Sequence, residues 1–200
     1  MSQTTALDPS PVRRAIFGGS FDPVHRGHLE MATTARKALD LDEVIFVPCY
    51  VSPFKSGTVA SGRQRFEMLA LSVDEAGLDW ANVSEFEIEK KGPSYSWETA
   101  CYFLERDPEA DWYWILGTDQ WDSILDWANP ECLREHLKFI VLTRDGQLVK
   151  EREGWQSTAV PFSHAASSTA IRGDLNKHHG WVTGETIQYC REHGLYGEDP

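Results

Sequence analysis

The sequence lacks a long apolar run and contains few cysteines. Its longest apolar segments, such as WYWILG, are far shorter than the roughly 20 residues that a membrane-spanning helix needs, and its N-terminal MSQTTALDPSPVRR has no apolar signal core. We therefore expect a cytoplasmic protein that does not contact a membrane. The four cysteines are widely separated without a C-x-x-C pair, which favours reduced thiols over a zinc site or a disulfide framework.

Positive charge is also scarce, with 19 Lys and Arg against 31 Asp and Glu and a formal net charge of -12. Nucleic-acid binding draws much of its affinity from Lys and Arg that neutralise phosphates, so we expect no nucleic-acid partner. A small anionic ligand is still compatible with this composition, because helix ends and a few local donors can bind it within an acidic surface.

The order of the apolar segments predicts an α/β protein with a single domain. Short β-rich segments alternate with helical periodicity, which is typical of a parallel sheet joined by right-handed crossovers. We predict a Rossmann-like doubly wound parallel sheet with helices on both faces over residues 13–200, preceded by a flexible arm at residues 1–12. The predicted strands span 15–19, 43–49, 82–88, 112–117, 138–144 and 158–162, and the predicted helices span 27–39, 61–77, 95–105, 119–136 and two C-terminal segments.

The segment GGSFDPVHRGHL has three candidate roles: a metal site, a proton-transfer pair or a phosphate site. Gly18 and Gly19 allow a sharp turn and a close approach of the backbone, and the helix that follows offers unpaired N–H groups. When charged, His25, Arg26 and His28 would each be unfavourable at a helix start by roughly 0.3–1 kcal/mol, and a bound phosphate would reverse that effect. No local residue completes a metal-ligand set, so the pattern favours phosphate over metal. The structural alternative is a βα turn in which His28 only packs or caps.

A second candidate helix start lies late in the chain, in SHAASSTAIRGDL. Ser167, Ser168 and Thr169 are good N-cap residues, but no acidic residue follows three positions after any of them. Arg172 is predicted in the first turn, where the helix dipole disfavours a cation unless an anion is bound nearby. An ordinary capped surface helix fits these residues, and a phosphate-facing helix start fits them without the electrostatic conflict.

Together, GGSFDPVHRGHL and SSTAIR resemble the nucleotidyltransferases of the H-x-G-H type, and specifically the bacterial nicotinate mononucleotide adenylyltransferase family. Three segments between them, in the same order, are also similar to that family. VPCYVSPFKS resembles its P…PPHK loop, GPSYS its PSYT segment, and LGTDQWDSILDW its GxDxLxxxxxW segment. With the ending HGLY, the resemblance covers residues 13–196.

The resemblance implies transfer of AMP from MgATP to nicotinate mononucleotide, which gives deamido-NAD and pyrophosphate in NAD biosynthesis without a covalent enzyme intermediate. Its implied ligands are ATP and nicotinate mononucleotide. Its implied cofactor is Mg²⁺, which would bind with ATP and not through protein ligands. Assembly into a homo-oligomer is left open.

By similarity, three side chains would contact the reacting phosphates: His25, His28 and Arg172. The residues expected to bind ATP are Gly18, Gly19, Ser20, Phe21, Lys55, Gly117, Asp119, Ser168 and Thr169. Those expected at the acceptor are Tyr95, Ser96 and Trp127, of which Trp127 would stack on the pyridine ring. Asp119 is equally suited to cap a helix, and Trp97 and Trp121 are suited to either a pocket wall or the core.

The sequence departs from the family pattern near the expected acceptor site. Phe54 stands where the family usually has His, Ser96 where it usually has Thr, and Thr118 and Gln120 also vary the pattern. These departures concern acceptor binding more than the chemistry. Alternative functions are therefore adenylyl transfer to nicotinamide mononucleotide or phosphopantetheine, or a non-catalytic nucleotide-binding sensor.

Overall fold

A six-stranded sheet with all strands parallel forms the centre of the protein, in the order β3-β2-β1-β4-β5-β6. The structure is a computed structural model that describes residues 10–53, 57–144 and 147–197. Within these residues the strands are β1 (Arg13–Gly19), β2 (Glu43–Pro48), β3 (Ala81–Val83), β4 (Asp111–Gly117), β5 (Lys138–Thr143) and β6 (Gln156–Pro161). The predicted parallel sheet is confirmed.

Helices cover both faces of this sheet. They are α1 (Arg26–Leu39), α2 (Gly62–Glu75), α3 (Phe86–Lys90), α4 (Ser96–Arg106), α5 (Thr118–Asp122), α6 (Pro130–His136), α7 (Ser168–Gly173) and α8 (Gly184–Glu192), with short 3₁₀ helices at Ile124–Asp126 and His179–Trp181. Alternate strand residues point to opposite faces. Ala15 and Phe17 therefore pack with α1, α2 and α8, whereas Ile16 packs with α4 and α6. This two-sided core confirms the doubly wound, Rossmann-like prediction.

The strand order places a crevice between β1 and β4. The chain leaves β1 through α1 toward β2 on one side, and leaves β4 toward β5 on the other side. In parallel α/β sheets, ligands bind at such a switch point, beyond the carboxyl ends of the strands. The ends of β1 and β4, at Gly19 and Gly117, therefore frame the expected binding edge.

Two predicted elements are wrong in part. The strand predicted at residues 82–88 ends at Val83, and the segment from Phe86 is helix α3, because Glu87 turns inward to accept a hydrogen bond from Thr99 on α4. The helix predicted at residues 119–136 is broken into α5, a 3₁₀ helix and α6. Pro130 lacks an N–H and therefore starts a new helix, and Asn129 before it has a left-handed backbone.

Strand β1 begins at Arg13, and most of the predicted arm, residues 1–9, lies outside the described residues. All four cysteines are free thiols; Cys49 and Cys190 are buried, and the sulfurs of Cys101 and Cys132 are 3.7 Å apart. Over the described ranges, none of the helices combines the length and the hydropathy required to cross a bilayer.

Candidate active site

Most of the residues predicted for the site lie along the carboxyl edge of the sheet. Gly18 and Gly19 end β1, and Gly117 ends β4. Helices α1, α4, α5 and α7 begin at the same edge, because each leads away from a strand end or back toward the start of the next strand. Lys55, predicted to contact ATP, and its neighbour Phe54 lie outside the described residues.

The sharp turn predicted at the two glycines of the first motif lies at Phe21 instead, and the predicted approach of a ligand to their backbone stays a prediction. Both glycines belong to strand β1 and neither has a positive φ, whereas the φ of Phe21 is 47°. A Cβ atom at Gly18 would lie 3.0 Å from the Trp114 ring, and one at Gly19 would lie 2.9 Å from the Phe21 ring. The glycines are therefore required for the packing of these rings at the end of the strand.

His25 and His28 form a stacked pair at the start of α1. His25 is the N-cap residue, and its N–H donates to His28 Nδ1 at 3.2 Å. The two rings are 3.7 Å apart with an interplanar angle of 19°. Because Nδ1 of His28 accepts a hydrogen bond, the neutral ring carries its proton on Nε2, where it can be donated to a phosphate oxygen.

Burial makes His25 a neutral group at pH 7. Its pKa is lowered from 6.5 to about 4, first by burial and second by the proximity of His164. The conflict with the α1 dipole, predicted for charged side chains, therefore does not arise at neutral His25. It arises at Arg26, an exposed cation at the first helical position. His25 Nδ1 is buried without a hydrogen-bond partner among the described residues.

The second motif packs directly on the first. Ser168 Oγ donates to the carbonyl of Pro23 at 2.9 Å, and Arg172 Nη1 donates to the carbonyl of Asp22 at 2.6 Å. Arg172 Nη2 also donates to Thr169 Oγ1 at 3.2 Å. The structure thus brings the two motifs together, as a phosphate site shared by them requires.

The predicted position of Arg172 within its helix is wrong. Helix α7 has six residues, and Arg172 lies in its last turn, where the dipole favours a cation. The electrostatic conflict that suggested a bound anion therefore does not exist at this residue. What directs its guanidinium toward the first motif is the hydrogen bond to Asp22.

The end of β4 carries the residues predicted for the ribose. Gly117 is the N-cap of α5 and donates its N–H to Gln120 Oε1 at 3.3 Å. Asp119 is exposed in the first turn of α5, so the alternative that it caps the helix is wrong. A carboxylate is favourable at this end of a helix and can accept hydrogen bonds from sugar hydroxyls.

The segment GPSYS lies against the loop that follows β2. Ser94 N–H donates to the Val51 carbonyl at 2.9 Å, and Tyr50 N–H donates to Ser94 Oγ at 3.0 Å. Tyr95 is the N-cap residue of α4 and Ser96 is its first residue; both are half-buried. The segment that the resemblance assigns to the acceptor therefore touches the loop after β2.

The tryptophans near the acceptor segments have different environments. Trp127 is half-buried and packs edge-on against Trp114, with ring centres 6.2 Å apart and an interplanar angle of 75°. Trp121 is fully buried and donates its ring N–H to the Lys150 carbonyl, so it belongs to the core. Trp97 is partly buried against the same core cluster.

Two buried charged residues that hold the site were missed. Arg65 is 0% exposed and donates to the carbonyls of Ser20 at 2.7 Å and Cys49 at 2.6 Å. Asp22 is 4% exposed and accepts the N–H groups of the loop that precedes α2. The position of Arg65 on the buried stripe of α2 is a signal that could have found it, since an unpaired charge rarely occupies such a stripe.

The described residues contain no group of three His, Cys, Asp or Glu side chains that could hold a metal ion. Asp22, the carboxylate of the first motif, already accepts hydrogen bonds on both oxygens, from Val59, Ala60 and Tyr196. These side chains do not form a protein cage for a resident metal.

The class of this protein follows from a family model, and its fold agrees with that class. Residues 16–174 match the model of the cytidylyltransferase-like family. The structure of the Plasmodium falciparum nicotinic acid mononucleotide adenylyltransferase complexed with NaAD has a similar fold, with a TM-score of 0.76 at 21% identity over 94% of this chain and 98% of that chain.

Relatives of similar sequence identify one family within this class. The chain is 35% identical to the probable nicotinate-nucleotide adenylyltransferase of Methylacidiphilum infernorum over 92% of each chain. It is 32% identical to the probable nicotinate-nucleotide adenylyltransferase of Listeria welshimeri, over 92% of this chain and 96% of the relative. The chain belongs to the nicotinate-nucleotide adenylyltransferase family.

Proposed function

We propose that this protein transfers AMP from ATP to nicotinate mononucleotide, forming deamido-NAD and releasing pyrophosphate for NAD biosynthesis. The observation that carries the proposal is the direct contact of α7, through Ser168 and Arg172, with the loop that leads into His25 and His28, in a member of this family. The related Plasmodium protein, whose structure is complexed with NaAD, supports the same reaction.

The chemistry requires alignment and charge stabilisation. An oxygen of the acceptor phosphate attacks the α-phosphorus of ATP, the bond from that phosphorus to the bridging oxygen breaks, and the β- and γ-phosphates leave as pyrophosphate. The acceptor phosphate is already an anionic nucleophile, so no general base is needed. The protein must supply donors where negative charge develops on the leaving group.

The residues of the two motifs suit this task. His28 would donate from Nε2 to a phosphate oxygen, because its Nδ1 is held by the His25 N–H. Neutral His25 would line the site without adding charge. Arg172 makes two hydrogen bonds within the protein, and its planar fork of five N–H groups has further donors for the β- and γ-phosphates.

The remaining predicted residues would bind the other parts of ATP. Ser168 and Thr169 would contact phosphates at the start of α7, and the backbone of Gly18, Gly19, Ser20 and Phe21 would line the nucleotide. Gly117 and Asp119 would bind the ribose. Lys55 remains a prediction for the loop after β2.

The acceptor would bind between α4 and the segment before α6. Tyr95 and Ser96 would donate to the pyridine carboxylate, and Trp127 would stack on the flat ring. Both elements begin at the carboxyl edge, next to the nucleotide residues at the end of β4. This arrangement would bring the acceptor phosphate toward the α-phosphate of ATP.

We infer that ATP enters as its Mg²⁺ complex, because the described side chains do not cage a metal and phosphate oxygens bind Mg²⁺ well. Both substrates are charged nucleotides, so we expect the reaction to take place in the cytoplasm, with neither a nucleic acid nor a membrane involved. Whether the enzyme acts as a homo-oligomer is a separate question for sedimentation analysis.

Pyrophosphate release from MgATP tests the proposal directly. The assay should be run with nicotinate mononucleotide, nicotinamide mononucleotide and phosphopantetheine in parallel, with the dinucleotide product identified by mass. We expect the highest kcat/KM with nicotinate mononucleotide. Turnover with phosphopantetheine alone would contradict the proposal, and a protein that binds ATP without turning over any acceptor would be a sensor.

A further inference from the structure

A third histidine, His164, lies against the His25–His28 pair. Its ring is parallel to that of His25, with ring centres 6.5 Å apart and an interplanar angle of 8°. The ring of Phe162 is also parallel to it, at 6.4 Å. His164 therefore extends the row of rings from the β1–α1 loop into the segment that precedes α7.

The approach of these rings depends on Gly27 in the first turn of α1. A Cβ atom at Gly27 would lie 2.8 Å from His164 Nδ1 and 3.0 Å from His25 Nδ1, both too close for a side-chain carbon. The glycine between the two motif histidines thus admits a ring from a distant part of the chain, 137 residues away as the numbering runs from Gly27 to His164.

A hydrogen bond fixes the orientation of the His164 ring. Its Nδ1 accepts the N–H of Ala166 at 2.9 Å, so the proton of the neutral ring is on Nε2. Nε2 lies 3.7 Å from a carboxylate oxygen of Glu30 on α1. Ala166 is buried and directly precedes Ser167, the N-cap residue of α7. His164 therefore connects the backbone entering α7 to the first turns of α1.

We propose that His164 is a positioning residue of the ATP phosphate site, which holds the start of α7 in register with the start of α1. The proposal rests on the proposed function, since it assumes that both helix starts bind the same triphosphate. Among the described residues, hydrogen bonds from Ser168 to Pro23 and from Arg172 to Asp22 also join α7 to the loop before α1. His164 adds a contact in the segment that precedes α7, beside Gly27 of α1, and so supports the position of the α7 start relative to His28.

Two variants of similar shape test the hydrogen bond from the Ala166 N–H to His164 Nδ1. Asn and Leu have the same branching, but His164→Asn keeps an acceptor close to the position of Nδ1, whereas His164→Leu places a methyl group there. The loss of one such hydrogen bond corresponds to roughly a three- to tenfold effect. We expect His164→Leu to lower kcat/KM for ATP by that factor with KM for the acceptor within about twofold, and His164→Asn to stay within about twofold of wild type.

A matched control shows whether the fall in kcat/KM for ATP is specific to His164 or follows from replacing any histidine by leucine. His136 is exposed at the end of α6, and α6 packs on the opposite face of the sheet from α7. His136→Leu should therefore leave KM for ATP unchanged. All variants should be compared for thermal midpoint. Wild-type kinetics for His164→Leu, equal losses for His164→Asn and His164→Leu, or an equal rise in the KM of both substrates would overturn the proposal.

Equilibrium binding of a non-hydrolysable ATP analogue distinguishes this proposal from the proposed reaction. If the wild type binds the analogue but turns over no acceptor, the reaction is wrong, and the order of affinities among the variants still decides the role of His164. We expect weaker binding for His164→Leu alone. A wild-type protein that does not bind the analogue would overturn both proposals.

Discussion

His28 is held in one orientation by its own helix start. The N–H of His25 donates to Nδ1 of His28, and the Phe21 ring lies edge-on to the His28 imidazole with ring centres 5.0 Å apart. A donor that is already oriented loses little freedom when the substrate binds, and its hydrogen bond is strongest when charge develops on phosphate oxygen. The assigned role therefore predicts an effect on turnover more than on binding.

We predict that His28→Ala lowers kcat by about 10²–10³-fold, the range typical of the loss of one transition-state donor. His28→Gln should recover part of that loss, because a glutamine amide can place an N–H near the position of Nε2. The measurement is steady-state pyrophosphate release, with thermal unfolding as the control for folding. If His28→Ala turned over at the wild-type rate, the assignment would be wrong.

His25 predicts a dependence of stability on pH. Its pKa is lowered in the folded protein from 6.5 to about 4, mainly by burial, so the folded state favours the neutral ring. The stability linked to this group is fully present above pH 6.5 and is lost as the pH falls toward 4, because the unfolded chain takes up the proton first. The shift corresponds to at most about 3 kcal/mol.

We therefore expect the wild type to lose more unfolding free energy between pH 7 and pH 4 than His25→Asn, which has no titratable group at this position. Urea denaturation at a series of pH values measures both slopes, and titration of the other groups is common to the two proteins. Parallel pH profiles would show that burial does not hold His25 neutral.

At the scale of elements, the spacing of apolar residues predicted the long helices and the central strands. It did not predict the bounds of the short helices. Helix α2 buries one stripe and starts at Ser61, whose side chain accepts from Gln64 N–H, so both its face and its start are local signals. Helix α7 has six residues, too few for a period, and its place is set by contacts with Pro23 and Asp22. The turn in which Arg172 lies therefore could not be derived from the sequence.

The prediction for the segment that forms α3 was wrong for a related reason. The sequence pattern predicted a strand over residues 82–88, but the segment from Phe86 is helical. Glu87 is instead buried at 5% exposure and hydrogen-bonded by Thr99, and burial raises the pKa of its carboxyl. An inward-facing acid has no signal in the hydrophobic pattern, since only its tertiary partner makes the position favourable.

The proposed acceptor site, which includes Trp127, predicts that a change at this residue affects the KM of the acceptor and not that of ATP. We expect Trp127→Ala to raise KM for the acceptor about tenfold or more and to leave KM for ATP within about twofold, because stacking on a flat ring is lost. Trp127→Phe should retain most of the affinity. Initial rates with each substrate varied in turn measure the split, and an equal rise in both KM values would contradict the stacking role.

At the scale of the whole molecule, the carboxylate of Asp22 joins two distant segments to the loop between β1 and α1, which we call the nucleotide loop. It accepts the N–H groups of Val59 and Ala60 before α2, and the hydroxyl of Tyr196 near the C-terminus at 2.6 Å. Burial, and then the bond to Asp22, raise the pKa of Tyr196 well above its usual range, so it stays a donor at all working pH values. The end of the chain is thereby tied to the loop that carries His25.

This connection predicts that Tyr196→Phe impairs both stability and ATP binding. Loss of a buried hydrogen bond to a charged group costs about 1.5–3 kcal/mol, and the residue on the other side of the bond belongs to the nucleotide loop. We expect a lower free energy of unfolding by that amount and a rise of roughly three- to tenfold in KM for ATP. Urea denaturation and steady-state kinetics measure the two effects.

Tyr189→Phe is the matched control, because Tyr189 donates to a carboxylate of Glu67 on α2, away from the nucleotide loop. Both substitutions remove one tyrosine hydroxyl from one carboxylate, so a general loss of stability should appear in both. A change in KM for ATP should appear only in Tyr196→Phe, since only its partner, Asp22, also presents a carbonyl to Arg172. If the two variants raised KM for ATP equally, the effect would follow from lower stability, and the C-terminal contact would have no specific part in shaping the nucleotide loop.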